Sequence, residues 1–125
     1  MKKIISSPHA PKAVGPYSQA VEINGVLYIS GQLPLDPATG TLVEGGAAEQ
    51  TAQCLKNIGA ILQEAGYRYA DVVRSTVLMA DMADFAAMND VYARFYTAPF
   101  PARAAFQVGR LPMGALIEIE TIAAK

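Results

Sequence analysis

PARAAFQVGRLPMGALIEIE, residues 101–120, contains two apolar-rich runs, at 104–108 and at 116–122. Both runs have the composition of β-strands, and the connection between them includes Pro112 and Gly114, residue types that are common in turns. The pattern therefore predicts one antiparallel hairpin. We expect most of the remaining chain to support or face this hairpin.

The predicted hairpin carries one cation and two carboxylates. Arg103 stands at the start of the first strand, and side-chain alternation puts Glu118 and Glu120 on one face of the second, roughly 6 to 7 Å apart. A guanidinium grips a carboxylate through two parallel hydrogen bonds, so Arg103 is a candidate anchor for a small organic acid. The alternative is that this strand face is only solvated and that Arg103 forms a salt bridge to it. The chemistry of these residues alone favours this structural alternative.

The composition predicts one compact domain over residues 1–125. Lys and Arg together number 10 against 11 Asp and Glu, and the net charge is -1 without any basic run, which argues against binding to nucleic acid or to an anionic membrane. Hydrophobic residues make up 52% of the chain, so some apolar surface is expected to be buried between subunits.

Cysteine and histidine are too scarce for the usual metal sites. The single Cys54 excludes an intramolecular disulfide, and His9 is the only histidine, so no metal and no cofactor is predicted. The apolar run near the N-terminus is too short for a signal peptide, and no run approaches a membrane span. These features predict a cytoplasmic protein.

The first half of the chain is predicted to hold three strands. A short edge strand is expected at 3–6, and Asn24-Gly25 between strands at 20–23 and 26–30 is the strongest short-range signal for a two-residue turn. Residues 33–46 are rich in proline and glycine and predict a loop.

The second half is predicted to alternate helices and strands. Apolar periodicity predicts a helix over 47–65, capped by Gly66, with Cys54 on its buried stripe. A strand follows at 71–80, and Asp81 is expected to cap a second helix that ends near 96. That helix carries an apolar stripe that is more typical of a core than of a cofactor site: Phe85, Met88, Tyr92 and Phe95.

Several segments together resemble the Rid family, the YjgF-like reactive intermediate deaminases. The similarity rests on AVGPYSQ at 13–19, ISGQ at 29–32, residues 95–103 ending in PAR, GRL at 109–111 and IEI at 117–119, so it extends over most of the chain. It implies a chorismate-mutase-like α+β fold, in which a mixed sheet packs against two helices. It also implies a homotrimer that associates through its sheets, with sites between subunits.

The resemblance assigns roles to particular residues. Arg103 would anchor the substrate carboxylate, and the alignment of Ile-Glu-Ile favours Glu118 over Glu120 as the group that orients or deprotonates water. Ala105 stands where many family members carry cysteine, so thiol chemistry is excluded there and the pocket is larger. Other residues implied to line the substrate pocket are Tyr17, which often acts across a subunit boundary, Ser30, Gly31 and Asn89.

The activity implied by the family is hydrolysis of 2-imino and enamine acids, such as 2-iminopropanoate and 2-iminobutanoate, to 2-keto acids and ammonia. Two alternatives remain. One is a pathway-specific deaminase for another amino-acrylate-type acid, and the other is a trimeric protein that binds small acids without turnover. Ribonuclease activity has also been attached to the family, but the near-neutral charge and the single histidine argue against it here.

Overall fold

One six-stranded mixed sheet with two helices on one face makes up the structure, a computed structural model that describes residues 1–125. The strands are β1 (Lys3–Ile5), β2 (Ala20–Ile23), β3 (Val26–Gln32), β4 (Val72–Met79), β5 (Ala102–Gln107) and β6 (Ile117–Ala124), and the helices are α1 (Ala47–Ala65) and α2 (Phe85–Phe95). The strand order is β1-β2-β3-β6-β4-β5. This confirms the predicted α+β fold. None of the helices is both long and apolar enough to cross a membrane.

The predicted turn between β2 and β3 is confirmed. Asn24 and Gly25 both have positive φ angles, 52° and 76°, as a two-residue hairpin turn of this type requires. Ile23 pairs with Val26 at the closing position of the hairpin. The sequence placed the end of β3 two residues too early, because the strand continues through Gln32.

Helix α1 has the predicted bounds. At its N-terminus the Glu49 carboxylate accepts a hydrogen bond of 2.8 Å from the Gly46 N–H. At its C-terminus Gly66 adopts the left-handed conformation, with φ 81°, and caps the last carbonyls. Cys54 is fully buried, in agreement with its predicted place in the core.

The predicted hairpin of β5 and β6 is wrong, although both strands exist. β6 lies between β3 and β4, and β5 pairs only with β4, in parallel. Helix α2 connects β4 to β5, and such a crossover returns the chain in the same direction on one side of β4. The connection from 108 to 116 then carries the chain to the other side of β4, where β6 pairs antiparallel.

Asp81 caps the second helical segment as predicted. Its carboxylate accepts a hydrogen bond of 2.8 Å from the Ala83 N–H. The first turn, Met82–Asp84, is a 3₁₀ turn, and the α-helix begins at Phe85.

The core lies between the helices and one face of the sheet. Ile117 and Ile119 of β6 are fully buried on this face, whereas Glu118 and Glu120 alternate with them on the other. Tyr28 and Phe106 remain 49% and 47% exposed. No helix packs on this second face of the sheet, and the part around Tyr28 and Phe106 is left uncovered.

Candidate active site

Arg103 lies on the side of the sheet that faces α2. Its Nη1 donates a hydrogen bond of 2.8 Å to Asn89 Oδ1, and its Cζ lies 4.8 Å from the centre of the Tyr92 ring. Ala105 is two residues further along β5 and so shares the strand face with Arg103. We call Asn89, Arg103 and Ala105 the guanidinium half-site.

A second group of predicted site residues lines a groove of about 960 Å³ at the other face of the sheet. The groove walls come from the segment around Lys12, the loop 37–40 and the turn that contains Met113. Tyr17 is half exposed at this groove, and its hydroxyl accepts a hydrogen bond of 3.4 Å from the Val14 N–H. The site residues in the groove are Tyr17, Ser30, Gly31, Glu118 and Glu120, which we call the carboxylate half-site.

A β-bulge shapes the carboxylate half-site. Ile29 pairs with Thr121 and Gln32 with Ile119, so Ser30 and Gly31 together stand opposite Glu120 alone. The Ser30 hydroxyl donates to the Ser18 carbonyl at 2.6 Å, which fixes the bulge to the preceding loop. The extra residue interrupts the ladder between β3 and β6 beside the glutamates.

Glu118 packs directly against the backbone of Gly31. A Cβ atom added to Gly31 would collide with Glu118 Oε2 and lie 3.1 Å from its Cδ. Glycine is therefore required here if the carboxylate is to keep this position. Alternation along the strand singled out Glu118, but only the family resemblance placed it with Gly31 in one site, because β3 and β6 are far apart along the chain.

The environment of Glu118 favours its neutral form. Burial raises the pKa of the Glu118 carboxyl above its usual range, and the nearby charge of Glu120 raises it further. A carboxyl tuned in this direction accepts a proton more readily near neutral pH. Arg103 does not lie beside Glu118 within one chain, so its positive charge does not oppose this rise in the pKa of Glu118.

One subunit does not bring the two half-sites together. Residues aligned across neighbouring strands share a face, and Arg103 aligns with Ser75, which is buried beneath α2. Glu118 aligns with Leu78 on the opposite face. The expectation that Arg103 forms a salt bridge with these glutamates is also wrong, because the one ion pair in the structure joins Arg68 and Asp71 at 3.9 Å.

Two neighbours of Arg103 were missed as parts of the site. Phe85 and Tyr92 do pack in or against the core, as predicted, but both rings also face the guanidinium, with the Phe85 ring centre at 5.6 Å from Cζ. The spacing of Phe85, Asn89 and Tyr92 puts all three on one face of α2. That spacing was visible in the sequence, but nothing local indicated that Arg103 would lie against it.

No group of three or more His, Cys, Asp or Glu side chains is arranged to hold a metal ion.

Known proteins resemble this chain over nearly its whole length. Residues 7–125 match the family described as Endoribonuclease L-PSP. A Bos taurus protein named 2-iminobutanoate/2-iminopropanoate deaminase is 55% identical over 123 residues, which is 98% of this chain and 90% of that protein. The structure of YyfA, a conserved Rid family protein from Yersinia pestis, superposes with a TM-score of 0.97 at 45% identity and covers 100% of both chains. E. coli TdcF with bound serine has a TM-score of 0.94 at 39% identity, with 98% of each chain covered.

Proposed function

The chain belongs to the Rid family, also described as Endoribonuclease L-PSP, and on this premise we propose that it hydrolyses reactive 2-imino and enamine acids to 2-keto acids and ammonia. The substrates proposed first are 2-iminopropanoate and 2-iminobutanoate, because relatives at 50% to 55% identity carry those names. The observation that carries the proposal is the half-buried Glu118 carboxyl, held over Gly31 in a groove and with a raised pKa.

In the proposed mechanism Arg103 binds the substrate carboxylate through paired hydrogen bonds, and the enamine tautomerises to the imine. Glu118 takes a proton from water as the water oxygen bonds to the imine carbon. The same carboxyl returns that proton to the nitrogen. This gives a carbinolamine, which still carries the second water proton on its hydroxyl group. Glu118 then moves that hydroxyl proton to the nitrogen, the carbon–nitrogen bond breaks, ammonia leaves, and the oxygen that came from water becomes the keto oxygen.

We further propose that the site forms between subunits of a homotrimer. Because Arg103 and Glu118 face opposite sides of one sheet, a neighbour must supply one of them if both are to contact a substrate of a few carbon atoms. The uncovered sheet face offers apolar side chains for such an assembly, including Ile4, Tyr28 and Phe106. The guanidinium half-site of one subunit would then complete the carboxylate half-site of the next.

The first test is ammonia release from 2-iminopropanoate generated in situ. The native protein should accelerate hydrolysis over buffer, and Arg103→Ala and Glu118→Gln should each lose most of that acceleration. Arg94→Ala is the matched control, because this arginine is exposed on α2 and belongs to neither half-site. If native protein matches buffer but binds 2-keto acids, the non-catalytic alternative is correct. Activity confined to larger amino-acrylate-type acids would support the pathway-specific alternative.

Mixed trimers test the shared site directly. Arg103→Ala and Glu118→Gln subunits should each be inactive alone, but after co-refolding in equal amounts about one quarter of the sites would combine an intact Arg103 with an intact Glu118 from the neighbour. A double variant mixed with native subunits is the control for exchange. If the single variants never restore activity together although exchange occurs, the site does not lie between subunits.

RNA cleavage, the activity in the family description, has weaker physical support in this chain. The groove lining contains one basic side chain, Lys12, beside the acidic side chains Glu118 and Glu120, so it lacks the cationic surface that binding the phosphate backbone of RNA requires.

A further inference from the structure

The groups that hold Arg103 are all uncharged. An amide oxygen, from Asn89, accepts a hydrogen bond of 2.8 Å from Nη1, and the rings of Tyr92 and Phe85 lie 4.8 Å and 5.6 Å from Cζ. Within one chain no carboxylate is within salt-bridge distance of the guanidinium, although the chain contains 11 acidic residues. The guanidinium is thus held in place without its charge being neutralised.

We infer that Phe85, Asn89 and Tyr92 form a charge-neutral clamp, which presets the guanidinium of Arg103 for an anionic ligand and leaves its full positive charge for that ligand. These three side chains act on the substrate through Arg103 and are therefore positioning residues. The inference rests on the proposed function, in which the ligand is a small carboxylate.

A fixed guanidinium binds more tightly than a mobile one. A long arginine side chain loses rotamer freedom when it binds a ligand, and a side chain that is already held loses less. Contact with the faces of two aromatic rings restricts the movement of the guanidinium, and the hydrogen bond to Asn89 restricts its rotation further. The N–H groups of Nη2 and Nε remain for a carboxylate.

The neutrality of the clamp matters as much as its rigidity. An aspartate at position 89 would hold Nη1 at least as firmly as asparagine, but its charge would compete with the ligand for the same cation. Tyr92 is also neutral near pH 7, and burial raises the pKa of its phenol further, against weaker opposing effects of Ser75 and Arg103. The Tyr92 ring is itself fixed by Tyr96, whose ring centre lies 4.7 Å away.

Substitutions at position 89 separate this role from a structural hydrogen bond. We expect Asn89→Asp to weaken binding of 2-oxobutanoate at least tenfold, and Asn89→Ala to weaken it only about threefold, as measured by titration calorimetry at neutral pH. A hydrogen bond that merely stabilises α2 against β5 predicts the opposite order, with aspartate close to native and alanine weaker. That opposite order would overturn the inference.

Substitutions at position 92 test the stacking. Tyr92→Leu should raise the KM for the imine and the Kd for 2-oxobutanoate about three- to tenfold, with a smaller change in kcat, and Tyr92→Phe should restore most of that loss because it keeps the ring. Tyr67→Phe is the control, since it removes another buried tyrosine hydroxyl at a position that belongs neither to the clamp nor to the half-sites. Equal affinities for the leucine and phenylalanine variants would contradict the clamp.

A ligand-free measurement distinguishes failure of the clamp from failure of the proposed function. In ¹⁵N-arginine-labelled protein the Nε–H signal of Arg103, identified by its absence in Arg103→Lys, should be shifted upfield by the Tyr92 ring and should move towards the random-coil position in Tyr92→Leu. If the signal is shifted but native protein neither binds 2-oxobutanoate nor turns over imine, the proposed function is wrong and the clamp holds a different anion. An unshifted signal overturns the clamp itself.

Discussion

The position of the Glu118 carboxylate depends on the side chain that Gly31 lacks. Glu118 comes from the middle strand β6, and Gly31 comes from the bulge in β3 that faces it. The bulge and the glycine together let the carboxylate lie against the backbone, where burial raises its pKa. In most β-strands this space is filled by the side chain at the glycine position.

Gly31→Ala should therefore impair activity more than stability. The new methyl group meets the flexible end of Glu118, which can rotate away, so the thermal midpoint should change by only a few degrees. The displaced carboxylate should reduce kcat at least tenfold, because small displacements of a general base are costly. Steady-state kinetics and thermal unfolding of the same preparation test both parts. Native kcat in a folded alanine variant would show that the placement of Glu118 is not needed.

The neighbouring Glu120 gives a prediction about pH. Since Glu118 is proposed to accept a proton, activity should fall as the pH drops through its raised pKa. Removing the charge of Glu120 takes away one of the two causes that raise that pKa. In Glu120→Gln the acid limb of kcat/KM against pH should consequently move to lower pH.

The corresponding substitution at the proposed base, Glu118→Gln, should abolish activity, and any residual activity should no longer fall at low pH. If Glu120→Gln abolishes activity and Glu118→Gln retains it, the assignment of the base is reversed.

Helix α1 and Tyr69 are coupled through another glycine. The Tyr69 hydroxyl donates a hydrogen bond of 2.7 Å to the Leu55 carbonyl, and a Cβ at Gly59 would lie 2.8 Å from Tyr69 Cζ. The helix thus carries glycine at the point where the tyrosine reaches its backbone.

Gly59→Ala should destabilise the protein by about 1 to 2 kcal/mol, although alanine is the better helix former by about 1 kcal/mol. The methyl group would displace the Tyr69 ring and break its bond to Leu55. Urea unfolding measures the change, and Gly59→Ala combined with Tyr69→Phe shows whether the hydroxyl is the source of the conflict. A more stable single variant would mean that Tyr69 moves aside without cost.

Elements whose formation depends on residues close by in the sequence were predictable from the sequence. The Asn24-Gly25 turn and the bounds of α1 were correct, because turn chemistry, helix periodicity and the Gly66 cap act over a few residues. The strands β5 and β6 were also found, but their pairing was not. Pairing depends on how the crossover through α2 orders the strands, and a run of alternating residues does not contain that information.

For the candidate site, the structure tests where the predicted residues lie, and their roles stay a prediction. The family signature named Arg103 and Glu118, and side-chain alternation correctly put Glu118 and Glu120 on one strand face. The prediction that Arg103 lies close to these glutamates within one chain was based on the incorrect hairpin and was wrong. The clamp around Arg103 escaped notice because apolar spacing on α2 indicates a core whether or not a cation packs against it.

The uncovered face of the sheet leads to a prediction for the whole molecule. Tyr28→Asp puts a charge in the middle of this face at a side chain that is already half exposed, so the fold should survive. We expect the variant to be monomeric by light scattering, native-like by circular dichroism, and inactive. Met82→Asp is the matched control, because Met82 is 39% exposed at the start of the second helical segment, away from the sheet face. A trimeric Tyr28→Asp variant would contradict the proposed interface.

If the site is shared between subunits as proposed, the opposite orientation of Arg103 and Glu118 also ties the rate per subunit to the protein concentration. A lone subunit would be well folded yet would hold two incomplete sites, so dilution should lower specific activity by mass action before any subunit unfolds. A concentrated stock that is diluted into assay buffer should lose activity with the time course of dissociation, and a ligand that bridges both half-sites should slow that loss. The specific activity of the protein would then rise with its own concentration.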